Sequence, residues 1–442
     1  MADRCRRTGS RPVGARALAS PVRPRHDGAV TETPADAAAH EPPAAADGPW
    51  GRRPPGPRGP GGRRALYDRR LRATHEQWTV PGRLLGALLA RPGLIQALGA
   101  DRTPVERDGR VLHPGVQALL GLTTVLDKVT DRGGGTPDPV GTREVFVATT
   151  RMVMPSRTDV HAVGRTIPGP AGAPDVPVRV YRRFGVGIGR PGHRPAAIAY
   201  FHGGGWVVGD LDSHDASCRL IAAVTGCVVV AVDYRLAPEH PFPAAVEDSV
   251  AAYAWIQRNH GILGTAPGVV GVMGDSAGGN LAAVVAQETR PGRRSAVDDV
   301  PPPVAQCLIY PALDARFVTE SFRVMGDRFF LTREGMEAFR AHYVPDPADY
   351  GDVRASPALC EDLDGLAPAV VVTAGFDPLR DEGTANAAAL AGAGVAVEYR
   401  CYDDMVHGFF GMGVVPDCLA LATEVCDAMG SLMRRVTPHR GD

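Results

Sequence analysis

From about residue 176 onward the apolar positions fall into short blocks. "VPVRVYRR" alternates apolar and polar residues, the period of a strand with one covered face. "PAAIAYFH", "GCVVVAVDY", "GVVGVMGDS", "VAQCLIYPA", "PAVVVTAGFD" and "VAVEYRCYD" follow, and several are unbroken apolar runs, as expected of strands covered on both faces. Between them apolar residues recur at three- and four-residue spacing over 213–225, 243–259, 277–289, 380–393 and 416–435, which predicts helices. Strand and helix alternate, so the fold class is α/β, with a mostly parallel sheet and helices on both faces. Residues 316–356 break the rhythm with "TREGMEAFRAHYV" and an Asp- and Pro-rich loop, and read as an insertion near the edge of the sheet.

Upstream the pattern differs. Residues 76–135 carry short amphipathic helical stretches, "PGRLLGALLARPGLIQAL" and "HPGVQALLGLTTVLDKV", and a further helix is expected in 142–155. Residues 1–75 are dense in Arg, Pro, Ala and Gly and hold too little apolar side-chain surface to offset the entropy of ordering, so this tail is expected to be disordered. The organisation predicted is a tail over 1–75, a helical segment over 76–160, and a core over 161–442 interrupted by the 316–356 insertion.

Charge and cysteines change this picture little. The formal net charge of −1 conceals an asymmetry: residues 1–75 hold 15 arginines against 7 acidic residues. The remainder is acidic on balance, which argues against nucleic acid as a partner of the folded part. No stretch approaches the length of apolar chain needed to cross a bilayer, and no apolar core follows the basic N-terminus as a secretory signal would require. A transit peptide or a later true start stays open. The eight cysteines form no CxxC pair and no Cys/His set with zinc spacing. They read as reduced thiols in a cytoplasmic protein that holds no metal.

The candidate chemistry starts in "VVGVMGDSAGGN". Here G-x-S-x-G falls on Gly274, Ser276 and Gly278, between a buried strand and a helix. In a chain with 53 glycines the five-residue pattern alone is weak; the strand–turn–helix context is what a nucleophile elbow requires. A serine hydroxyl needs a base, and the base needs an orienting carboxylate. In chain order after the serine, Asp377 stands just past one apolar strand and His407 just past the next. His342 falls in a helix of the insertion and His439 in the terminal tail, which leaves His407 as the base. Asp381, the rival acid, sits in the first turn of the next helix. Asp403 and Asp404 read as solvated charges near His407, and Asp275 as a local hydrogen-bonding residue. The stretch "YFHGGGWVVGD" places three glycines directly after a strand. Amides without side chains in the way suit the stabilisation of an oxyanion, and the expected donors are the N–H groups of Gly203, Gly204 and Ala277. His202 is expected to hold this loop by hydrogen bonds, and Trp206 to wall the acyl or alcohol side of the site.

Taken together, "HGGGW" at 202–206, "DYRLAPEHPFPAA" at 233–245, "GDSAGGN" at 274–280, "DPLRDEG" at 377–383 and "HGF" at 407–409 resemble the hormone-sensitive-lipase-like family of α/β-hydrolase esterases. "TIPGPAG" at 166–172 and "VRVYRR" at 178–183 are similar to the family's first core strands. The resemblance spans about 105–435 and implies the triad Ser276, Asp377 and His407. It also implies the oxyanion donors Gly203, Gly204 and Ala277, and a cap built from the N-terminal helices and the insertion. The activity implied is hydrolysis of small-molecule acyl esters of short to medium chain, with no cofactor, and it leaves a homodimer open. Rival readings are an amidase or deacetylase with the same triad, a peptidase on the same fold, and a non-catalytic binder such as the plant gibberellin receptors. Those receptors lack the catalytic histidine, which is present here as His407.

Overall fold

The computed structural model describes residues 75–91, 103–129, 139–186, 194–290, 292 and 300–436. Residues 1–74 of the Arg-rich tail, and His439, lie outside the described residues.

An eight-stranded sheet carries the fold. Its strands are β1 (Val160–Ile167), β2 (Val176–Arg183), β3 (Ala197–Phe201), β4 (Val228–Val232), β5 (Val270–Asp275), β6 (Gln306–Ile309), β7 (Ala369–Phe376) and β8 (Val397–Val406). Their spatial order is β8-β7-β6-β5-β3-β4-β2-β1. β3 to β8 are all parallel to one another, and β2 runs antiparallel to both β4 and β1. The sequence pattern misses β1: only its two ends are buried, and Val163 in the middle is 41% exposed, so no alternation marks it. An edge strand held by backbone pairing to β2 does not need one.

Apart from a single turn at His260–Leu263, the helices among the described residues are α1 (Val80–Leu89), α2 (Pro114–Val129), α3 (Pro139–Val153), α4 (Asp215–Thr225), α5 (Ala244–Arg258), α6 (Ala277–Glu288), α7 (Glu320–Met325), α8 (Arg333–Tyr343), α9 (Arg380–Gly392) and α10 (Pro416–Val436). Successive strand side chains point to opposite faces, and here both faces are covered. Ile198, Tyr200, Val229, Met273, Ile309 and Val372 pack with residues of α4 and α10. Ala199, Phe201, Val230, Val272, Leu308 and Val371 pack with residues of α5, α6 and α9. That double covering is why the strands read as continuous apolar runs.

α7 and α8 fall within the 316–356 insertion, and each begins on a threonine cap. The Thr319 hydroxyl accepts from the Phe322 N–H at 3.3 Å, and the Thr332 hydroxyl from the Gly335 N–H at 3.1 Å. The N-terminal segment meets both the insertion and the core. Arg107 donates to the Val324 carbonyl at 3.0 Å, and Arg143 in α3 donates to the Val207 carbonyl at 2.8 Å and the Ala237 carbonyl at 2.9 Å.

Candidate active site

Strand order reverses at β3. From it the chain passes outward to β4, then returns to lay β5 on the other side. Ligand sites of open parallel sheets form beyond the carboxyl ends of strands at such a switch point. The glycine loop follows β3 and the candidate serine follows β5, with Phe201 paired directly to Gly274. Ser276 occupies the turn into α6 with φ 56° and ψ −120°, a conformation costing about 1–3 kcal/mol in a residue with a side chain. The flanking glycines follow from contact. A Cβ at Gly274 would lie 2.1 Å from the Gly278 carbonyl oxygen, and one at Gly278 would lie 2.0 Å from that of Phe201. Only two bare α-carbons let strand, turn and helix close this tightly.

Ser276, Asp377 and His407 come together. The His407 Nε2 is 2.8 Å from the Ser276 Oγ, and its Nδ1 is 2.8 Å from the Asp377 Oδ2. Asp377 is fully buried, and its Oδ1 accepts from the Leu379 N–H at 2.8 Å. The Tyr310 ring packs against the imidazole at 4.6 Å. The rival carboxylates face elsewhere. Asp381 accepts from the Ser321 N–H at 2.8 Å and pairs with Arg380. Asp403 and Asp404 lie in β8 rather than in the loop of His407. Asp403 pairs with Arg110 at 2.9 Å, and the Asp404 carbonyl accepts from the His113 N–H.

The glycine loop corrects one expectation. The N–H of Gly203 is not free to serve an oxyanion, because it donates to the Asp275 Oδ1 at 3.0 Å. Asp275 also accepts from the Tyr200 hydroxyl at 2.6 Å. Burial opposes its ionisation, yet His214 and the hydrogen bond from Tyr200 hold its pKa below the usual carboxylate value. The next two glycines have φ of +121° (Gly204) and +60° (Gly205), and a Cβ at Gly204 would lie 2.1 Å from the Val208 carbonyl oxygen. Among the described residues, the N–H groups of Gly204, Gly205 and Ala277 have no hydrogen-bond acceptor. Gly205, whose N–H is open like that of Gly204, is not among the donors expected from the sequence. The signal for it is Asp275, whose carboxylate consumes the first amide. His202 lies behind the loop, with Nδ1 2.8 Å from the Gly203 carbonyl oxygen. Tyr234 of the "DYRLAPEHP" stretch stacks on its ring at 4.3 Å and donates to its carbonyl at 2.6 Å. Burial, then the charge of His214, pushes the His202 pKa down to about 4, so its ring is neutral at pH 7.

The family profile described as alpha/beta hydrolase fold matches residues 198–411. The carboxylic ester hydrolase LipN of Mycobacterium tuberculosis is 38% identical over 385 residues, covering 84% of this chain and 98% of that protein. This chain belongs to the hormone-sensitive-lipase-like family of α/β-hydrolase ester hydrolases. Carboxylesterase NlhH of the same organism is 43% identical over 265 residues, covering 59% of this chain and 78% of that protein. Among solved structures, an ester hydrolase from the metagenome of Lake Arreo superposes with a TM-score of 0.64 at 35% identity, over 73% of this chain and 98% of its own.

In this α/β-hydrolase two further polar residues brace the surroundings of the site. Glu382 of "DPLRDEG" accepts from the Leu313 N–H at 2.5 Å, and burial pushes its pKa well above the carboxylate range. Asn280 of "GDSAGGN" donates to the carbonyls of Ala312 at 2.8 Å and Ala355 at 3.0 Å. Trp206 lies flat on Tyr343 of α8, with centroids 4.3 Å apart and planes 7° apart. The pair lines a shallow cleft together with Phe317, Arg340, Val344 and Ala355. Ser276, Asp377 and His407 do not line this cleft. It is linked to the serine through Ala312, whose N–H donates to the Ser276 carbonyl at 3.2 Å. No helix among the described residues is long and apolar enough to cross a membrane.

Proposed function

We propose that this ester hydrolase works through an acyl-enzyme on Ser276, with His407 as the base and Asp377 as its orienting acid. The observation that carries the reading is the unbroken pair of 2.8 Å contacts from Ser276 through His407 to the buried Asp377. His407 takes the serine proton as Oγ attacks the ester carbonyl. The acyl–oxygen bond breaks, and the departing alcohol leaves with that proton. Water then cleaves the acyl-enzyme by the same route. The oxyanion is held by the N–H groups of Gly204, Gly205 and Ala277.

The preferred substrates are esters of short to medium acyl chain, and Trp206 walls the acyl or alcohol side of the site. The chain's likeness to carboxylesterases supports this reading. A cover built from α1 to α3 and the insertion supplies the remaining walls. A cytoplasmic setting is supported by the seven free cysteines among the described residues. A fluorophosphonate probe should label the wild type and not Ser276→Ala; equal labelling of both would sink the nucleophile. Along p-nitrophenyl esters from acetyl to palmitoyl, turnover should peak at octanoyl or shorter. A peak at myristoyl or longer would overturn the acyl preference.

A further inference from the structure

The glycine loop is strained. Gly204, Gly205 and Trp206 follow one another with φ of +121°, +60° and +59°, and in Trp206, which has a Cβ, such a value is disfavoured. A loop of this kind keeps its shape only where its surroundings hold it. Its carbonyls show what does. Gly204 accepts from the N–H groups of Val207 at 3.1 Å and Val208 at 2.9 Å, and Trp206 accepts from that of Ala237 at 2.9 Å. The Val207 carbonyl is held from the N-terminal segment instead, by Arg143 of α3.

Arg143 uses both edges of its guanidinium. Its Nε donates to the Val207 carbonyl at 2.8 Å and its Nη2 to the Ala237 carbonyl at 2.9 Å. The outer edge, Nη1 and Nη2, meets the Glu239 carboxylate at 2.8 and 2.7 Å. Ala237 also bonds Trp206, so the guanidinium closes a ring of hydrogen bonds through Trp206, Val207 and Ala237. Val207 and Ala237 are buried, whereas the Glu239 side chain is 47% exposed. Water can replace the carboxylate on Arg143 but not the guanidinium on the two carbonyls. A planar fork meets both carbonyls at once, and an ammonium does not.

We propose that Arg143 is a positioning residue for the oxyanion hole. Its docking on Val207 and Ala237 keeps the Gly204 and Gly205 amides aimed, and through it the N-terminal segment helps to form the hole. The inference rests on the reading of those amides as oxyanion donors. Acylation and deacylation both pass through an oxyanion, so a loop freed by loss of Arg143 slows turnover whichever step limits it.

The test uses p-nitrophenyl acetate as substrate and trifluoroacetophenone as inhibitor. The Ser276 oxygen adds to the ketone carbonyl, the serine proton passes to His407, and the new oxyanion takes the place of the tetrahedral intermediate's. In Arg143→Ala, kcat should fall roughly 10- to 100-fold with KM within about threefold of wild type, and inhibition by the ketone should weaken by a similar factor. Arg143→Lys keeps the charge without the fork and should lose nearly as much. Glu239→Ala leaves both carbonyl bonds in place and should stay within about threefold of wild type. An equal fall in Glu239→Ala would make the ion pair the requirement. An unchanged kcat would leave the loop independent of Arg143, and a lower kcat with undiminished ketone inhibition would put the defect outside the hole. Any of these results overturns the proposal. Thermal unfolding checks the fold of each variant; should Arg143→Ala not fold, the contrast between Arg143→Lys and Glu239→Ala decides. Failure of the underlying site looks different: the ketone would not inhibit the wild type, or Ser276→Ala would hydrolyse the ester at the wild-type rate.

Discussion

The carboxyl edge of the sheet and the segments 76–153 and 316–356 are held in different ways. Ser276, Asp377 and His407 are fixed by strand ends and buried hydrogen bonds, and each triad contact is 2.8 Å. The N-terminal helices and the insertion add arginine ion pairs to buried apolar contacts that include Leu112, Val116 and Met336. Arg110 joins Asp108 and Asp403, Arg380 joins Asp108 and Asp381, and Arg143 joins Glu239. Proton transfer tolerates little error in position, and buried, fully satisfied hydrogen bonds provide that rigidity. Ion pairs with half-exposed carboxylates, such as those of Arg110 and Arg143, are contacts that water can replace.

Substitutions should sort along the same division. The largest effects belong to the sheet edge: Ser276→Ala or His407→Ala should lower kcat by about 10⁶, and Asp377→Asn by about 10⁴. Loss of less than tenfold in any of them, by steady-state assay on p-nitrophenyl acetate, would remove that residue from the chemistry. Next comes the support beneath the oxyanion loop. Asp275→Ala frees the Gly203 amide and loosens the loop, and kcat should fall by roughly 10² while KM changes little. Asp275→Asn keeps an acceptor for Gly203 and Tyr200 and should recover most of the rate. An alanine variant as active as the wild type would mean that Asp275 does not position the loop.

A third effect is on stability. His202 has a folded pKa of about 4, below its ordinary value of 6.5. Between these values the unfolded chain binds the extra proton. The contribution is therefore fully present above about pH 6.5 and lost as pH falls toward about 4, amounting to roughly 3 kcal/mol at most. Urea unfolding across this range should show a shallower pH slope for His202→Asn than for the wild type, and identical slopes would contradict a neutral, buried ring. The smallest effect belongs to the cover. Arg110→Ala breaks pairs with half-exposed carboxylates and should change stability by about 0.5 kcal/mol or less. A loss several times larger, by the same unfolding measurement, would make the cover part of the rigid frame and erase the distinction.

The chemistry was easier to read in the sequence than its setting. Ser276 and His407 could be found because steric demands leave a mark: the elbow admits no Cβ at Gly274 or Gly278, so glycines announce it. The buried strands announced themselves by continuous apolar runs, whereas β1, open along most of its length, gave no pattern. Choosing among three glycines was beyond pattern reading. Which amide is consumed depends on the Asp275 carboxylate, 72 residues along the chain from Gly203, arriving on a neighbouring strand. Asp403 and Asp404 misled for a related reason, since charges near the end of a strand look like a loop until Arg110 is seen on the Asp403 carboxylate and the His113 amide on the Asp404 backbone carbonyl.

The direct pairing of Phe201 with Gly274 has a bearing on how this scaffold can diversify. Donor loop and nucleophile hang from adjacent rungs of one ladder, so deleting a single residue from β3 or β5 would turn alternate side chains to the wrong face and misalign both at once. Nothing of that kind constrains the insertion between β6 and β7. Chimeras that borrow a relative's α7–α8 segment should inherit its selectivity while retaining the host's catalytic power.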